Sequence, residues 1–513
     1  MRVHMVVEVY DAQGAMQRTA LAIILVVMAA LPCHALVSTN VPLRHWSYDA
    51  VEKLADYGLI DSAMLTIRPI SRVEMARHIA QAMYALEGTA DAPAILGEIL
   101  ARLREEFRGE LILIGAVEGW HGRSFVKPVE DPYLRYVYAD EATGLENERG
   151  DTFDGGSNIR LGFAARGKLW ERAAFYVQPE VVDSSEEDGD VELVRSYGKG
   201  RIGPIEIEAG KDSLWWGPGR HGSIVMSNNV EPFTMLKITN PQPMQLPWIL
   251  RYLGPFRGQW FLTELEDDRH IPEAKLSGIR LNARPHPLVE LGASRVVMLG
   301  GNGAPDVDLV DYAEAFLALT EEEENNQLAG LDASLLLPVG RWRWGRALPF
   351  RALRFYVEGA GEDEAGGLPS NWGALYGLRI SDILKTGRTD LRIEYADNHV
   401  AGKPNVFYSH SVYRTGYRYE GRIIGHHIGT DSRDLFLHLS HYLTSDLILD
   451  LAYNRQTHNL SADIQPTTNI YELGLTLFPS AHWQVEGGYR YEESDAGGRA
   501  DNHVLQMGLV RRF

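Results

Sequence analysis

The stretch LILDLAY, residues 447–453, places an apolar side chain at every second position and so predicts a β-strand with one apolar face. The same period of two returns in YELGLTL, residues 471–477, and in WQVEGGYRY, residues 483–491. Earlier segments such as 158–163 and 390–395 follow the same period. Because the alternation begins near residue 109 and continues to the end of the chain, it predicts one long β-rich domain.

A membrane barrel explains this domain better than a soluble β-sandwich, although both folds alternate. The polar face is rich in charge and glycine, whereas the apolar face ends in tyrosine and tryptophan, which is typical of the aromatic girdles of outer-membrane barrels. Tight turns at 444–445 and 479–481 alternate with long polar connections at 454–469 and 492–502. Short turns on one side of the membrane and long loops on the other are typical of the same class.

Backbone hydrogen bonding leads to the same conclusion. No apolar run after position 40 reaches the ~18–20 residues of a membrane helix. In lipid every backbone polar group must be paired within the protein, so a spanning chain without such a helix closes into a barrel. We therefore predict an all-β transmembrane barrel of about 18 antiparallel strands over residues 109–513, in the outer membrane of a Gram-negative bacterium. Its last strand ends on an aromatic residue, Phe513, as such barrels do, although Arg511 interrupts the apolar face.

The alternation also assigns side chains to the two faces of the barrel. Leu449 and Leu475 are expected to face lipid, and Asp450 and Glu472 are expected to face the lumen. A barrel of roughly 16 to 18 strands is wide enough to hold water unless loops fill it. An open channel and a plugged lumen therefore remain alternatives at this point.

Composition argues against several functions. The 513 residues carry a net charge of −19, which argues against a nucleic-acid partner, and one cysteine excludes a disulfide framework and a thiolate metal site. No hydrolase, phosphate-binding or dinucleotide-binding motif occurs in a suitable context, so we expect neither enzyme activity nor a cofactor. The histidines do not predict a metal site either, because His438 and His441 lie on opposite faces of one strand and no zinc-protease motif is present.

Residues 1–35 are typical of a secretory signal peptide. Arg18 precedes an apolar run at 20–31, and Cys33-His34-Ala35 offers small residues for cleavage after Ala35. Met16 is an alternative start, because the residues before it include acidic side chains that signal peptides avoid.

Residues 36–108 are predicted to form a helical head in the periplasm. Apolar residues recur at helical spacing in three segments, and Ser71 with Glu74 forms a capping box at the start of the second. The string HWSYDAVEKLADYGLI, residues 45–60, resembles one repeat of the S-layer homology module, which binds envelope polymers. The alternative is a head that only docks to the barrel.

The segment 210–243 departs from the alternation, and its first part reads GKDSLWWGPGRHGSIVMSNNVEPF. Tryptophan faces stack on the C–H surfaces of sugars, and arginine and asparagine supply planar hydrogen-bond donors. These properties predict polysaccharide-binding residues, namely Trp215, Trp216, Arg220, Asn228 and Asn229. The alternative is that the segment builds a plug or a bulge inside the lumen, with tryptophan packed on the wall.

This segment, within a long barrel and after a helical head, resembles the Wzi-type capsule-assembly outer-membrane proteins. The WWGPG turn, the Ser-Asn-Asn step and the proline-aromatic step carry the resemblance. Members of that family form a barrel of about 18 strands with a periplasmic helical bundle and help to hold capsular polysaccharide at the cell surface. The resemblance implies a non-enzymatic protein that binds or organises capsular or extracellular polysaccharide. The alternative is a porin-like channel with a helical periplasmic head, and in either case we expect a monomer surrounded by outer-membrane lipid.

The connection lengths predict the orientation of the barrel. If the chain ends in the periplasm, counting back places 454–469 and 492–502 outside and 479–481 inside. We expect an epitope tag inserted near Ser461 to be labelled on intact cells, and one near Ser480 only after the cells are permeabilised. Immunoblotting of both variants controls for expression. The reverse labelling pattern would contradict this orientation and indicate that the barrel is inserted the other way round.

Overall fold

The computed structural model describes residues 36–89, 92–120, 122, 124–170, 172–186, 189–305, 307, 312, 316, 325–365, 368–495 and 501–512. The predicted signal peptide at 1–35 and the terminal Phe513 lie outside the described residues.

Eighteen antiparallel strands close into one barrel within the described part of the chain. Each strand pairs with its neighbours in sequence, and the first strand also pairs with the last, with Tyr133 opposite Val510 and Ala139 opposite Val504. This closure confirms the predicted fold class. In chain order the strands are β1 (Phe125–Ala139), β2 (Gly156–Leu169), β3 (Ala173–Ser184), β4 (Asp190–Ile202), β5 (Ile205–Asp212), β6 (Phe233–Thr239), β7 (Pro255–Glu264), β8 (Lys275–His286), β9 (Val289–Leu299), β10 (Asn326–Leu337), β11 (Ala352–Ala365), β12 (Leu368–Ile383), β13 (Thr389–Asp397), β14 (Arg433–Tyr442), β15 (Leu447–Thr457), β16 (Thr467–Ser480), β17 (Trp483–Ser494) and β18 (Asn502–Arg511).

The two faces of the wall follow the predicted alternation. Leu475 is 42% exposed on the outward face, and Leu449 lies directly opposite it on the neighbouring strand. Asp450 and Glu472 point the other way and line an internal cavity. Leucine side chains lose contact with water in lipid with a favourable change in free energy, whereas carboxylates would lose their hydration at a cost and therefore stay in polar surroundings inside the barrel.

The connections at the two ends of the barrel differ in length. Those at the end that holds both termini of the barrel include the turns 170–172, 203–204, 287–288, 443–446 and 481–482. The longest connections, 213–232, 300–325 and 398–432, join strand ends at the other end of the barrel. The connections predicted at 454–469 and 492–502 are shorter than expected, since the strands continue further and leave only 458–466 and 495–501 between them.

Four helices precede the barrel within the described residues: α1 (Ser47–Asp56), α2 (Arg72–Glu87), α3 (Ala94–Glu106) and α4 (Arg108–Leu113). The hydroxyl of Ser71 accepts the N–H of Glu74 at 3.2 Å, as the capping box predicts. Helix α4 runs past the boundary predicted at residue 108, because Leu111 packs fully buried in the core of the head. A short apolar run of this kind does not distinguish a helix from a strand by its period.

Among the described residues, no helix combines the length and apolar character needed to cross a membrane.

An arginine test distinguishes the two faces of β16. Leu475→Arg places a charge in hydrocarbon at a cost of ~2–4 kcal/mol near the bilayer midplane, so we expect much less heat-modifiable barrel on gels. Thr476→Arg is the matched control, since the neighbouring Thr476 lines the internal cavity. Glu472→Arg is a poorer control, because Glu472 pairs with Arg490 at 2.9 Å and the substitution would add repulsion. Equal losses at positions 475 and 476 would contradict the assigned facing.

Candidate functional site

Helix α1 enters the barrel and pairs its charges with the inner wall. Arg392 donates to Glu52 at 2.6 Å, Arg379 pairs with the same carboxylate, and Lys53 donates to Asp390 at 2.8 Å. Burial alone would raise the pKa of Glu52, but the guanidinium groups of Arg379 and Arg392 outweigh burial and hold that pKa below its usual range. The head therefore docks into the lumen through buried, compensated charges.

The connection 213–232 folds into the lumen from the opposite end and meets the head there. Trp215 and Trp216 pair as a two-residue antiparallel strand with Ile67 and Arg68, which lie between α1 and α2. We call residues 213–232 the plug segment. Its contact with the head makes the two insertions one continuous body inside the barrel.

Trp216 fixes the plug segment to the wall. Its side chain is fully buried, its indole N–H donates to Gln259 at 2.6 Å, and its ring meets Phe261 edge to face at 5.3 Å. A Cβ added at Gly278 would lie 2.8 Å from the same ring, so this approach requires glycine on strand β8. Trp216 thus has the packing that the plug interpretation of the motif describes.

The other predicted site residues divide between structural contacts and the cavity. The side-chain amides of Asn228 and Asn229 donate to the carbonyls of Asn147 and Ile423, each at 3.0 Å. Arg220 donates to both carboxylate oxygens of Asp49 on α1, at 3.1 and 2.9 Å. Trp215, Arg220 and Asn228 line one cavity together, whereas Trp216 and Asn229 are not among its lining residues.

The connection 398–432 covers the plug segment, and sequence analysis missed it. The hydroxyls of Tyr408 and Tyr417 donate to the carbonyls of Ile224 and Val225 at 2.5 and 2.9 Å. We call residues 398–432 the covering loop. Its length was the available signal, because long connections inside a compact domain are usually functional.

A cavity of about 510 Å³ remains between the plug segment and the wall formed by β13–β18. Three inward positions of that wall are glycine, namely Gly474, Gly488 and Gly508. Gly474 lies directly opposite Gly488, so two neighbouring inward positions carry no side chain. The volume falls in the ~300–1,000 Å³ range typical of small-molecule sites.

The lining of the cavity combines stacking surfaces with both signs of charge. Trp46 and Trp215 supply aromatic surface, and the indole N–H of Trp46 has no hydrogen-bond partner among the described residues. Burial alone would raise the pKa of Glu146, but the adjacent Arg490 guanidinium keeps it below its usual range. Such a lining suits a polyhydroxylated ligand, which needs stacking faces and many hydrogen-bond partners.

Comparison with known proteins relates this architecture to one family. The model of the family described as capsule assembly protein Wzi matches residues 126–503. An uncharacterised 55.8 kDa protein in the cps region of Klebsiella pneumoniae is 26% identical over 325 residues; the match covers 62% of this chain and 57% of that protein, a little over half its length.

A solved structure gives the fold independently. The structure of Wzi from Escherichia coli, described as an outer-membrane protein involved in group 1 capsule assembly and as a carbohydrate-binding β-barrel, is 20% identical in sequence. It superposes with a TM-score of 0.71 and covers 93% of this chain and 100% of its own. At that identity the likeness shows a shared fold.

Removing the Trp216 side chain should loosen the plug segment while the barrel still forms. Trp216→Ala loses a fully buried indole and its hydrogen bond, for which we expect a cost of about 3–5 kcal/mol. The variant should show more frequent open-channel steps in planar bilayers and faster proteolysis in the lumen. Trp344→Ala is the control, because Trp344 is 65% exposed. Unchanged conductance and proteolysis in a folded Trp216→Ala barrel would show that Trp216 does not hold the plug.

Proposed function

This chain belongs to the capsule assembly protein Wzi family, and we propose that it is a non-enzymatic outer-membrane protein that binds or organises capsular or extracellular polysaccharide at the cell surface. The observation that carries the proposal is the match of the family model to residues 126–503, which span almost the whole barrel, the plug segment and the covering loop. The protein would act as a monomer in outer-membrane lipid, with its helical head in the periplasm.

The cavity is the proposed place of contact with the polysaccharide. Trp215 and Trp46 would stack on sugar rings, and Arg220 and Asn228 would donate hydrogen bonds to hydroxyl or carboxylate oxygens. One saccharide unit in such a site binds weakly. A repetitive polymer bound by many barrels on one cell would gain its retention from multivalency.

We assign Trp216 and Asn229 a positioning role in this function. Both side chains are buried, both make hydrogen bonds within the protein, and neither is among the residues that line the cavity. They would act on the polymer through the plug segment that carries Trp215 and Arg220. A variant that removes both tryptophans therefore changes plug stability and ligand contact together.

The porin-like alternative has less support. A buried apolar cluster joins the plug segment, the covering loop and the inner wall, including Ile224, Phe261 and Tyr408. Packing of this kind closes much of the lumen that an 18-strand barrel would otherwise leave open to water.

Filling the cavity should abolish polymer retention without unfolding the barrel. A Cβ added at Gly488 meets only the Cβ of Gln506, at 3.5 Å, so Gly488→Trp can project its indole into the cavity. Gly487→Trp is the matched control. Position 487 lies directly opposite the outward Leu475, so only its backbone borders the cavity, and a Cβ added there has no atom within 4 Å. We expect the Gly488 variant to release polymer into the medium and the Gly487 variant to keep it on the cell.

Three measurements separate the outcomes of this test. Heat modifiability shows that each barrel is folded, total polymer shows that synthesis continues, and the ratio of cell-bound to released polymer reports retention. Retention by a folded Gly488→Trp barrel would place the binding surface elsewhere on the molecule. Loss of total polymer would instead indicate a role in synthesis or export.

A further inference from the structure

Three side chains of types that can ligate a metal, from separate parts of the chain, meet beside the cavity. His221 belongs to the plug segment, His427 to the covering loop and Asp434 to strand β14 of the wall. Nε2 of His427 lies 3.0 Å from Oδ2 of Asp434, and Nε2 of His221 lies 3.8 Å from the same oxygen. Each residue offers one ligand atom, and the three atoms lie within 4.8 Å of one another.

Contacts with neighbouring residues orient His221 and Asp434. The His221 ring stacks on Phe436 with centroids 3.8 Å apart and planes 1° from parallel, and its backbone N–H donates to Glu394 at 2.9 Å. The second oxygen of Asp434 accepts the side-chain amide of Asn454 at 2.7 Å. Outer contacts of this kind orient metal ligands. Nε2 of His427 and Oδ2 of Asp434 now share a hydrogen bond of 3.0 Å, which a bound ion would replace.

The group is buried and contains an unused ligand atom. The side chains of His221, His427 and Asp434 are 13%, 4% and 2% exposed. Nε2 of His221 has no hydrogen bond of good geometry within the described part of the chain, because the nearby amide of Asn454 donates to Asp434 and to the carbonyl of Leu435. Burying a polar atom without a partner costs free energy, so a ligand that engages it would stabilise the closed plug.

We propose that His221, His427 and Asp434 bind a divalent transition-metal ion, with Zn²⁺ as the best match. Two imidazole nitrogens and one carboxylate oxygen form a three-ligand zinc donor set that leaves the fourth position to water, and its atoms lie about 3.4 Å apart when bound tetrahedrally at ~2.1 Å. The separations of 3.0 and 3.8 Å from Oδ2 of Asp434 lie on either side of this value, and all three atoms lie within 4.8 Å of one another. His221 also lines the cavity, which gives water access to the remaining coordination position.

The ion would connect the plug segment, the covering loop and the barrel wall at one point. Each ligand comes from a different element, so binding would oppose any movement that separates them. The metal therefore acts as a structural clamp for the closed lumen. This role is independent of whether the cavity binds polysaccharide.

The test uses the full-length protein in detergent after treatment with chelator. Titration with Zn²⁺, followed by calorimetry, should give one tight site per chain and raise the temperature at which the heat-modifiable band converts. Co²⁺ should bind with visible absorption bands typical of a tetrahedral nitrogen and oxygen site. Ca²⁺, which prefers oxygen ligands, should produce neither effect.

Substitutions locate the site. His221→Ala, His427→Ala and the isosteric Asp434→Asn should each weaken Zn²⁺ binding at least tenfold and abolish the temperature shift. His399→Ala is the control, because His399 pairs with Asp431 at 2.7 Å in the same covering loop without belonging to the three-residue group. Heat modifiability without added metal verifies that each variant folds. If an alanine variant fails to fold, Asp434→Asn still tests the site, because asparagine has nearly the same shape as aspartate.

The proposal fails if the wild-type protein binds Zn²⁺ no more tightly than Ca²⁺. It also fails if the folded variants bind Zn²⁺ as well as the wild type, since the ion would then occupy surface histidines. A temperature shift that persists in Asp434→Asn but disappears in His399→Ala would place the ion in the other histidine–aspartate pair and likewise overturn it.

Discussion

A ring of eighteen strands encloses more volume than its own inward side chains fill. The other segments of this molecule fill the remaining space. The helical head enters from one end of the barrel, and the plug segment and the covering loop enter from the other. Irregular backbone inside a barrel still needs hydrogen bonds. Tyr408 and Tyr417 provide them by donating to carbonyls of the plug segment. The same tyrosine side chains thus fill space in the lumen and satisfy the backbone hydrogen bonds of the plug segment.

Charge determines how the head fits the lumen. The wall presents Arg379 and Arg392, and α1 presents Glu52, so each side carries charges that would be costly to bury alone. Paired buried charges contribute little net stability, but a misplaced partner is strongly unfavourable. We infer that these pairs specify one docked orientation of the head. Apolar packing in the core of the head supplies its internal stability.

Local sequence patterns predicted the secondary structure and the outward or inward facing of strand residues, because both depend on residues close together in the chain. The period of two predicted the barrel and the outward position of Leu475, and the Ser71 capping box predicted the start of α2. The tryptophans identified the plug segment as a candidate site. Whether each tryptophan is buried depends on residues from distant parts of the chain that pack against it. No spacing in the sequence indicates that Trp216 meets Gln259 while Trp215 faces a cavity. The same limit applies to the cavity, because the inward glycines that create it resemble ordinary strand glycines.

The short pairing of Ile67 and Arg68 with Trp215 and Trp216 has a consequence for how the chain folds. It joins segments separated by the first five strands of the barrel, and contacts of such long range form late because their loop closure costs the most entropy. The inner body is therefore completed only after much of the wall exists around it. Until then the plug segment exposes unpaired backbone groups and aromatic surface, so the assembly of this chain includes an interval in which aggregation competes with folding.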